Sequence, residues 1–208
     1  MLKIESIPVG PYQVNSLIVW CEETREAVLF DPGFEGERLL ARIDELGLQL
    51  TRIINTHGHL DHIGDNGKIM AARNVPLYIH KLDRPKLTDP TLNLSAYGPD
   101  PVLSPDATGE IADGEEVKIG NCSLKALHVP GHSSGSLCFY GDGFLIAGDT
   151  LFCQGVGRSD FPDSSEFDLL SHIQSKLYTL PENTVVYPGH GPTTTIGYER
   201  ANNPFVRA

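Results

Sequence analysis

Apolar positions follow two rhythms along this chain, one of strands and one of helices. Leu2 to Val9, Val14 to Trp20 and Ala27 to Phe30 are β-rich runs parted by Gly10-Pro11 and by the charged stretch Glu22-Glu23-Thr24-Arg25. They predict an antiparallel meander ending at the turn Asp31-Pro32-Gly33. From Glu35 to Leu46, Leu39, Leu40, Ile43 and Leu46 recur at helical spacing, and Gly47 closes the run. A strand over 51–55, a helix over Ile63 to Arg73 and a strand over Val75 to Ile79 follow, giving the order β-α-β-loop-α-β.

Residues 83–113 break the rhythm. Pro85, Pro90, Pro99, Pro101 and Pro105 interrupt any regular element, with Leu92, Leu94 and Tyr97 between them. So long an irregular stretch inside a compact domain is expected to border a functional site. Beyond it, Glu115 to Ile119 and Cys122 to Val129 alternate around Gly120-Asn121, and Ser136 to Tyr140 and Phe144 to Ala147 around Gly141-Asp142-Gly143, as hairpins do. Residues 165–178 carry an apolar helical face, and Thr184 to Tyr187 makes a last strand.

Composition narrows the class. With 208 residues, 40% of them hydrophobic, one domain spanning 1–208 is expected. A formal charge of −11 excludes a nucleic-acid backbone as partner. Cys21, Cys122, Cys138 and Cys153 form no C-x-x-C pair and read as reduced core residues. The start Met1-Leu2-Lys3-Ile4-Glu5 lacks a signal-peptide pattern and no run is long enough to span a bilayer. A cytoplasmic protein without a membrane partner is the expectation.

The candidate chemistry lies in Thr56-His57-Gly58-His59-Leu60-Asp61-His62, where four potential metal ligands fall within six residues directly after a buried strand. Backbone alternation points His57 and His59 one way while Asp61 and His62 turn toward a neighbouring point, so one packet begins two metal sites. Gly58 reads as the tight turn between ligands. Three later turns add donors: His132 in Pro130-Gly131-His132, Asp149 in Gly148-Asp149-Thr150, and His190 in Pro188-Gly189-His190-Gly191. His80 reads as a strand-end residue, His128 as a packed strand residue and His172 as a helix-surface residue. Asp31 is read first as a turn former, with hydrogen bonding to a ligand histidine as the alternative.

The string H-x-H-x-D-H resembles the defining motif of the metallo-β-lactamase superfamily. The succession H-x-H-x-D-H, P-G-H-x-x-G, G-D-T-L-F and P-G-H-G is similar to its glyoxalase II (hydroxyacylglutathione hydrolase) branch, in particular to short bacterial members that end in a stretch like Asn203-Pro204-Phe205. The resemblance implies an α/β (α+β) fold, the four-layer αββα sandwich. It also implies two divalent ions, zinc first and iron or manganese otherwise. His57, His59 and His132 would hold one, Asp61, His62 and His190 the other, with Asp149 bridging. The implied activity is hydrolysis of S-2-hydroxyacylglutathione by a metal-bridging hydroxide that Asp61 orients. Longer members carry a basic C-terminal extension, whereas this chain has 18 residues after His190, with Arg200 and Arg207 as the basic groups.

Two further readings stay open. Persulfide dioxygenases of the same fold hold one iron, here through His57, His132 and Asp149, and their sequences resemble Gly157-Arg158-Ser159-Asp160-Phe161. A metallo-hydrolase of another ester or thioester would use the same donors. A thioester is the least demanding substrate, because a thiolate leaves without prior protonation. Arg158 and Tyr97 are the candidates for contact with a small-molecule thioester, possibly glutathione-derived.

Overall fold

The computed structural model describes residues 1–207. The first half of the chain builds β1 (Leu2–Val9), β2 (Val14–Cys21), β3 (Glu26–Phe30), β4 (Gln49–Ile54), β5 (Leu77–Ile79) and β6 (Gly109–Glu110), which form one sheet in that order. Its first three strands are the expected antiparallel meander, and from β3 to β6 the pairing is parallel. The second half supplies β7 (Glu116–Ile119), β8 (Cys122–His128), β9 (Leu137–Gly141), β10 (Phe144–Gly148), a hairpin of β11 (Leu151–Phe152) and β12 (Gly155–Val156), then β13 (Val185–Pro188) and β14 (Thr194–Thr195). Apart from the hairpin these make a second sheet, ordered β14-β13-β10-β9-β8-β7, with β10 and β13 parallel.

Side-chain alternation explains why the sheets stack. In β3, Val28 and Phe30 face the other sheet while Ala27 and Leu29 face outward; in β10, Phe144 and Ile146 face inward and Leu145 and Ala147 outward. All are buried, since these central strands are covered on both faces. The inner layer joins Leu17, Val19, Phe30 and Ile54 to Leu124, Phe139 and Ile146. On the outer face of the first sheet pack α1 (Gly36–Glu45), α2 (Leu60–Ile63) and α3 (Asn66–Arg73), through Leu39, Ile43, Ile63 and Ile69. On that of the second sheet pack α4 (Glu166–His172), continued by a π turn over Ile173–Leu177, and α5 (Ile196–Asn202). The architecture is therefore the expected αββα sandwich.

Local chemistry accounts for the differences from expectation. The helix predicted over 63–73 is two helices, because Gly64 lies against the Gly33 backbone with no room for a Cβ and Asp65 bonds outward. The Asp65 N–H donates to the Pro32 carbonyl at 2.9 Å, and its carboxylate accepts from Gly36 N at 2.6 Å. β5 begins at Leu77, after Pro76, which has no N–H to offer a ladder. The short strands β11, β12 and β14, and α5, carry too few apolar positions to show a period. Cys153 is exposed, contrary to the core reading; Cys21 and Cys138 are buried, and all four thiols are free. Among the described residues no helix is long and apolar enough to cross a membrane.

Phe30 and Phe139 meet edge to face between the sheets, ring centroids 5.1 Å apart, both fully buried. Phe139→Ala is expected to cost about 3–5 kcal/mol in urea unfolding, as a lost aromatic in a sealed layer does. A loss under about 1 kcal/mol would mean that the two sheets are not held by this layer.

Candidate metal centre

The parallel strands β3 and β4 of one sheet, and β10 and β13 of the other, end at the same edge of the sandwich. The turns that follow them carry Asp31, His57 to His62, Asp149 and His190. The turn between β8 and β9 brings His132 to the same edge. Hydrogen bonds close that edge across the sheets: Leu137 N donates to Thr56 O at 2.8 Å, Asn15 N to Gly189 O at 2.7 Å, and the Asn15 amide to Pro188 O at 3.0 Å.

All seven sequence-predicted donors meet there, in three overlapping groups whose donor atoms lie within 4.8 Å of one another: His57, His59 and His132; His57, His62 and Asp149; Asp61, His62 and His190. His132 Nε2 is 3.0 Å from His59 Nδ1 and 3.3 Å from His57 Nε2. Asp61 Oδ2 is 3.1 Å from His190 Nε2. Asp149 stands between the halves, with Oδ1 3.4 Å from His62 Nε2 and Oδ2 3.6 Å from both His132 Nε2 and His190 Nε2.

The outer nitrogens of the histidines explain why the inner ones are bare. His132 Nδ1 donates to the Arg158 carbonyl at 2.7 Å and His190 Nδ1 to the Tyr12 carbonyl at 3.0 Å. His62 Nδ1 donates to Asp31 Oδ2 at 2.9 Å, and His57 Nδ1 to Thr56 Oγ1 at 3.1 Å, whose own hydroxyl donates to Asp31 Oδ2 at 2.7 Å. A proton fixed on Nδ1 leaves Nε2 as a lone pair aimed into the cluster. His62 Nε2 and Asp149 Oδ1 are buried without any hydrogen-bond partner, a costly state for polar atoms unless a cation takes them up. The donor set thus fits divalent metal ions, and imidazole with carboxylate suits zinc, iron or manganese.

Protonation separates the halves. Burial, reinforced by neighbouring imidazoles, holds His57 well below its ordinary pKa and His59 at about 3, so both are neutral lone-pair donors. Burial also works against charge on His62, but the carboxylates of Asp61, Asp149 and Asp31 outweigh it and push the imidazole well up. His190 rises likewise, burial being outweighed by its bond to Asp61 and by Asp149. Burial would raise Asp61 and Asp149, yet the adjacent His62 and His190 hold both below the usual carboxylate range. The half around Asp61 therefore attracts cationic charge in whatever form it comes.

Asp31 is more than a turn former: its carboxylate touches both His62 and Thr56, so the alternative reading holds at this position. Gly58 does not serve a left-handed turn. A Cβ there would meet Lys86 Cβ at 2.6 Å, so glycine admits close packing against the segment after β5. That segment holds residues the sequence did not single out. Asp83, fully buried, accepts from Gly58 N at 2.8 Å, Gly135 N at 2.7 Å, Ser133 Oγ at 2.8 Å and the buried Lys86 ammonium at 3.0 Å, and so ties the two ligand turns together. The available signal was positional, since Asp83 follows a parallel strand ending at the site edge.

A cleft of about 450 Å³ opens over the cluster, with Phe152, Val156 and Phe161 in its walls. Arg158 lines it, paired with Asp160 at 3.0 Å and lying 4.5 Å over the Phe161 ring. Tyr97 lines an adjoining cavity, not the cleft itself, and is 76% exposed. His80 and His128 stack on each other with centroids 4.1 Å apart, away from the donor groups, and His172 bonds to the carbonyl of Asp168. The proline-rich segment reaches the site, as expected, through Leu94.

Residues 9–190 match the family model described as "Metallo-beta-lactamase superfamily". The chain is 36% identical to the "Probable metallo-hydrolase YqgX" of Bacillus subtilis, over 99% of this chain and 98% of that one. It is 35% identical to the "Hydroxyacylglutathione hydrolase GloC" of Haemophilus influenzae, over 100% and 99%. Among solved structures it is similar to the BLEG-1 B3 metallo-β-lactamase, with a TM-score of 0.94, 36% identity and coverage of 99% and 100%. It is also similar to TTHA1623 in a di-iron-bound form, at 0.87, 36%, 97% and 100%, and to ETHE1 from Myxococcus xanthus, at 0.82, 28%, 97% and 83%.

Two substitutions test the supports of the donors. Asp31→Ala is expected to weaken zinc binding about 10–100-fold in competition with a chromophoric chelator, as the loss of a bond behind a ligand histidine does. Asp83→Ala removes the buried acceptor shared by Gly58 N, Gly135 N, Ser133 Oγ and Lys86 Nζ, leaves the Lys86 ammonium with Asp163 alone, and is expected to cost about 3–5 kcal/mol of unfolding free energy. Unchanged zinc affinity in the first variant, or unchanged stability in the second, would show that these carboxylates do not carry the ligand turns.

Proposed function

The chain belongs to the metallo-β-lactamase superfamily, and from that premise we propose a metal-dependent thioester hydrolase, of the kind that cleaves S-2-hydroxyacylglutathione, acting with two divalent ions. The observation that carries the reading is Asp149, one carboxylate within 3.6 Å of His62, His132 and His190, donors of both halves. A shared carboxylate suits a pair of ions better than one. In this reading His57, His59 and His132 would hold the first, Asp61, His62 and His190 the second, and Asp149 would serve both. Such a pair, when bound, brings the pKa of a coordinated water to near neutrality and polarises a carbonyl oxygen.

The chain's own groups do the rest. Asp61, held ionised by His62 and His190, accepts a hydrogen bond from the attacking water and orients it toward the acyl carbon. The water, having lost one proton to solvent, bonds through its oxygen to that carbon. The carbon–sulfur bond breaks, the thiolate departs with the electron pair, and the carboxylic acid product releases its remaining proton to solvent. Because a free thiol has a pKa near 8.5, that departure needs no acid from the protein. Phe152, Val156 and Phe161 keep bulk water from the reacting face, and Arg158 offers its guanidinium to an anionic group of the substrate. The GloC name supports a glutathione thioester, and the di-iron form of TTHA1623 supports a two-metal site. Four free thiols suit a reducing compartment, so we assign the activity to the cytoplasm, in one domain over 1–208.

One observation favours a second reading. His57, His132 and Asp149 by themselves make a two-histidine, one-carboxylate triad, with His132 Nε2 3.3 Å from His57 Nε2 and 3.6 Å from Asp149 Oδ2. That set suits a single iron and dioxygen chemistry on a persulfide.

Elemental analysis of the purified protein, alongside assays with S-lactoylglutathione, glutathione persulfide and a cephalosporin, decides between them. Two metals per chain and turnover of the thioester are expected; one iron per chain with oxygen uptake on the persulfide would overturn the hydrolase. His59→Ala and Asp61→Ala are expected to lower thioester turnover at least about 100-fold and to reduce metal content. His128→Gln and His172→Gln are expected to stay within about twofold of the parent, lying away from the donor groups.

A further inference from the structure

Beside the half of the site formed by Asp61 and His190, the cleft over the donor cluster adjoins a second cavity of about 320 Å³, walled by Tyr12, Phe34, Leu60, Leu94, Tyr97 and Val102. Tyr12, Leu60 and Leu94 line both spaces, so the two meet at these residues. The side chains lining this annex are mostly apolar or aromatic, with Ser95 and Asp100 the polar ones. At the other end of the cleft, near His59 and His132, lies Arg158 against Phe161. Its partner Asp160 is exposed with it, and such a pair is readily exchanged for another anion. The cleft is bipolar, cationic at one end and apolar at the other.

Leu94 marks the junction. It sits at φ 72° and ψ 2°, in the left-handed region that a branched side chain avoids. The buried Asn93 enforces this: its amide donates to Lys86 O at 3.0 Å and Val102 O at 2.9 Å, its side-chain oxygen accepts from Ser95 N at 3.0 Å, and its carbonyl accepts from Leu60 N at 3.0 Å. A conformation this unfavourable, over-determined by its surroundings beside a reacting centre, points to a positional role for the side chain. Tyr12 and Tyr97, 51% and 76% exposed, add an aromatic rim that solvent would otherwise disfavour.

We propose that the annex is an acyl-chain subsite. The thioester's acyl group is an uncharged alkyl or aryl chain longer than lactoyl, lodged among Tyr12, Leu94, Tyr97 and Val102, while an anionic thiol lies toward Arg158. The orientation follows from charge: the thiolate leaves as an anion, and the cationic end receives it, whereas Asp100 repels a carboxylate from the annex. The identity of the reaction rests on the hydrolase reading above; the preference for a chain does not.

The test is calorimetric binding of octanohydroxamate and acetohydroxamate to the zinc-loaded full chain, two compounds that share a metal-seeking head and differ in the tail. The octanoyl compound is expected to bind at least about 30-fold tighter, since each buried methylene contributes about fourfold. Tyr97→Asp, at an exposed position, and Leu94→Asn, which tolerates the left-handed backbone, are each expected to cut that ratio by about tenfold or more. Equal affinity of the two compounds, absent binding of the octanoyl one, or an unaltered ratio in both variants would overturn the subsite. Turnover of octanoylglutathione and lactoylglutathione is followed in parallel. A flat hydroxamate ratio with lactoylglutathione cleaved sinks the subsite and spares the hydrolase; an intact ratio without cleavage of either thioester upholds the subsite and sinks the hydrolase.

Discussion

Everything at the site edge answers one constraint: seven side chains must aim lone pairs at a common small volume, although lone pairs repel and buried polar atoms cost free energy when unpaired. No single donor enforces this. The enforcing contacts lie one layer out, where the Nδ1 protons of His57, His62, His132 and His190 are taken by oxygen acceptors on four different segments. Asp31 and Asp83 act as the two shared hydrogen-bond acceptors behind those segments. Asp31 joins the end of β3 to Thr56 and His62, and Asp83 joins the first ligand turn to the turn of His132. Burying a carboxylate is expensive unless each of its oxygens finds donors, and both have them.

The sandwich supplies the rest by topology. A parallel strand pair ends with both carboxyl termini at one edge, and each sheet contributes such a pair, β3 with β4 and β10 with β13. Turns that leave those strands cannot avoid meeting. How closely they meet is set by glycine: a Cβ on Gly189 would collide with Asp149 and come within 2.9 Å of His62. The spacing between Asp149 and the imidazoles therefore depends on a position with no side chain at all.

Sequence made the strands of the inner layer and the seven donors legible, because both are dense local signals. Val28, Phe30, Phe144 and Ile146 alternate within runs of buried residues, and His57 to His62 crowd four donors into six positions. What stayed hidden depends on contacts between distant segments. Asp31 looks like any Asp-Pro-Gly turn until His62 is placed 2.9 Å from it. Asp83 carries no motif, and its role exists only once Gly58 and Gly135, far apart in the chain, both donate to it. The break of the helix at Gly64 is of the same kind, a consequence of the Gly33 backbone lying against it.

Floor and walls of the cleft are consequently built under different rules. The floor comes from strand ends and is locked by buried hydrogen bonds, so a substitution there disturbs several donors together. The walls come from the hairpin of β11 and β12, from the turn carrying Arg158 and Phe161, and from the proline-rich segment carrying Leu94, none of which supplies a donor to the three groups. Loops of this sort tolerate change that a packed strand does not. The same donor-bearing floor can thus be kept while the walls are altered, and it is in the walls that this chain sets Arg158 opposite the annex. The donors come from the strand ends and the outer lining from the loops, and Leu94, held by Asn93, stands where the cleft and the adjoining cavity meet.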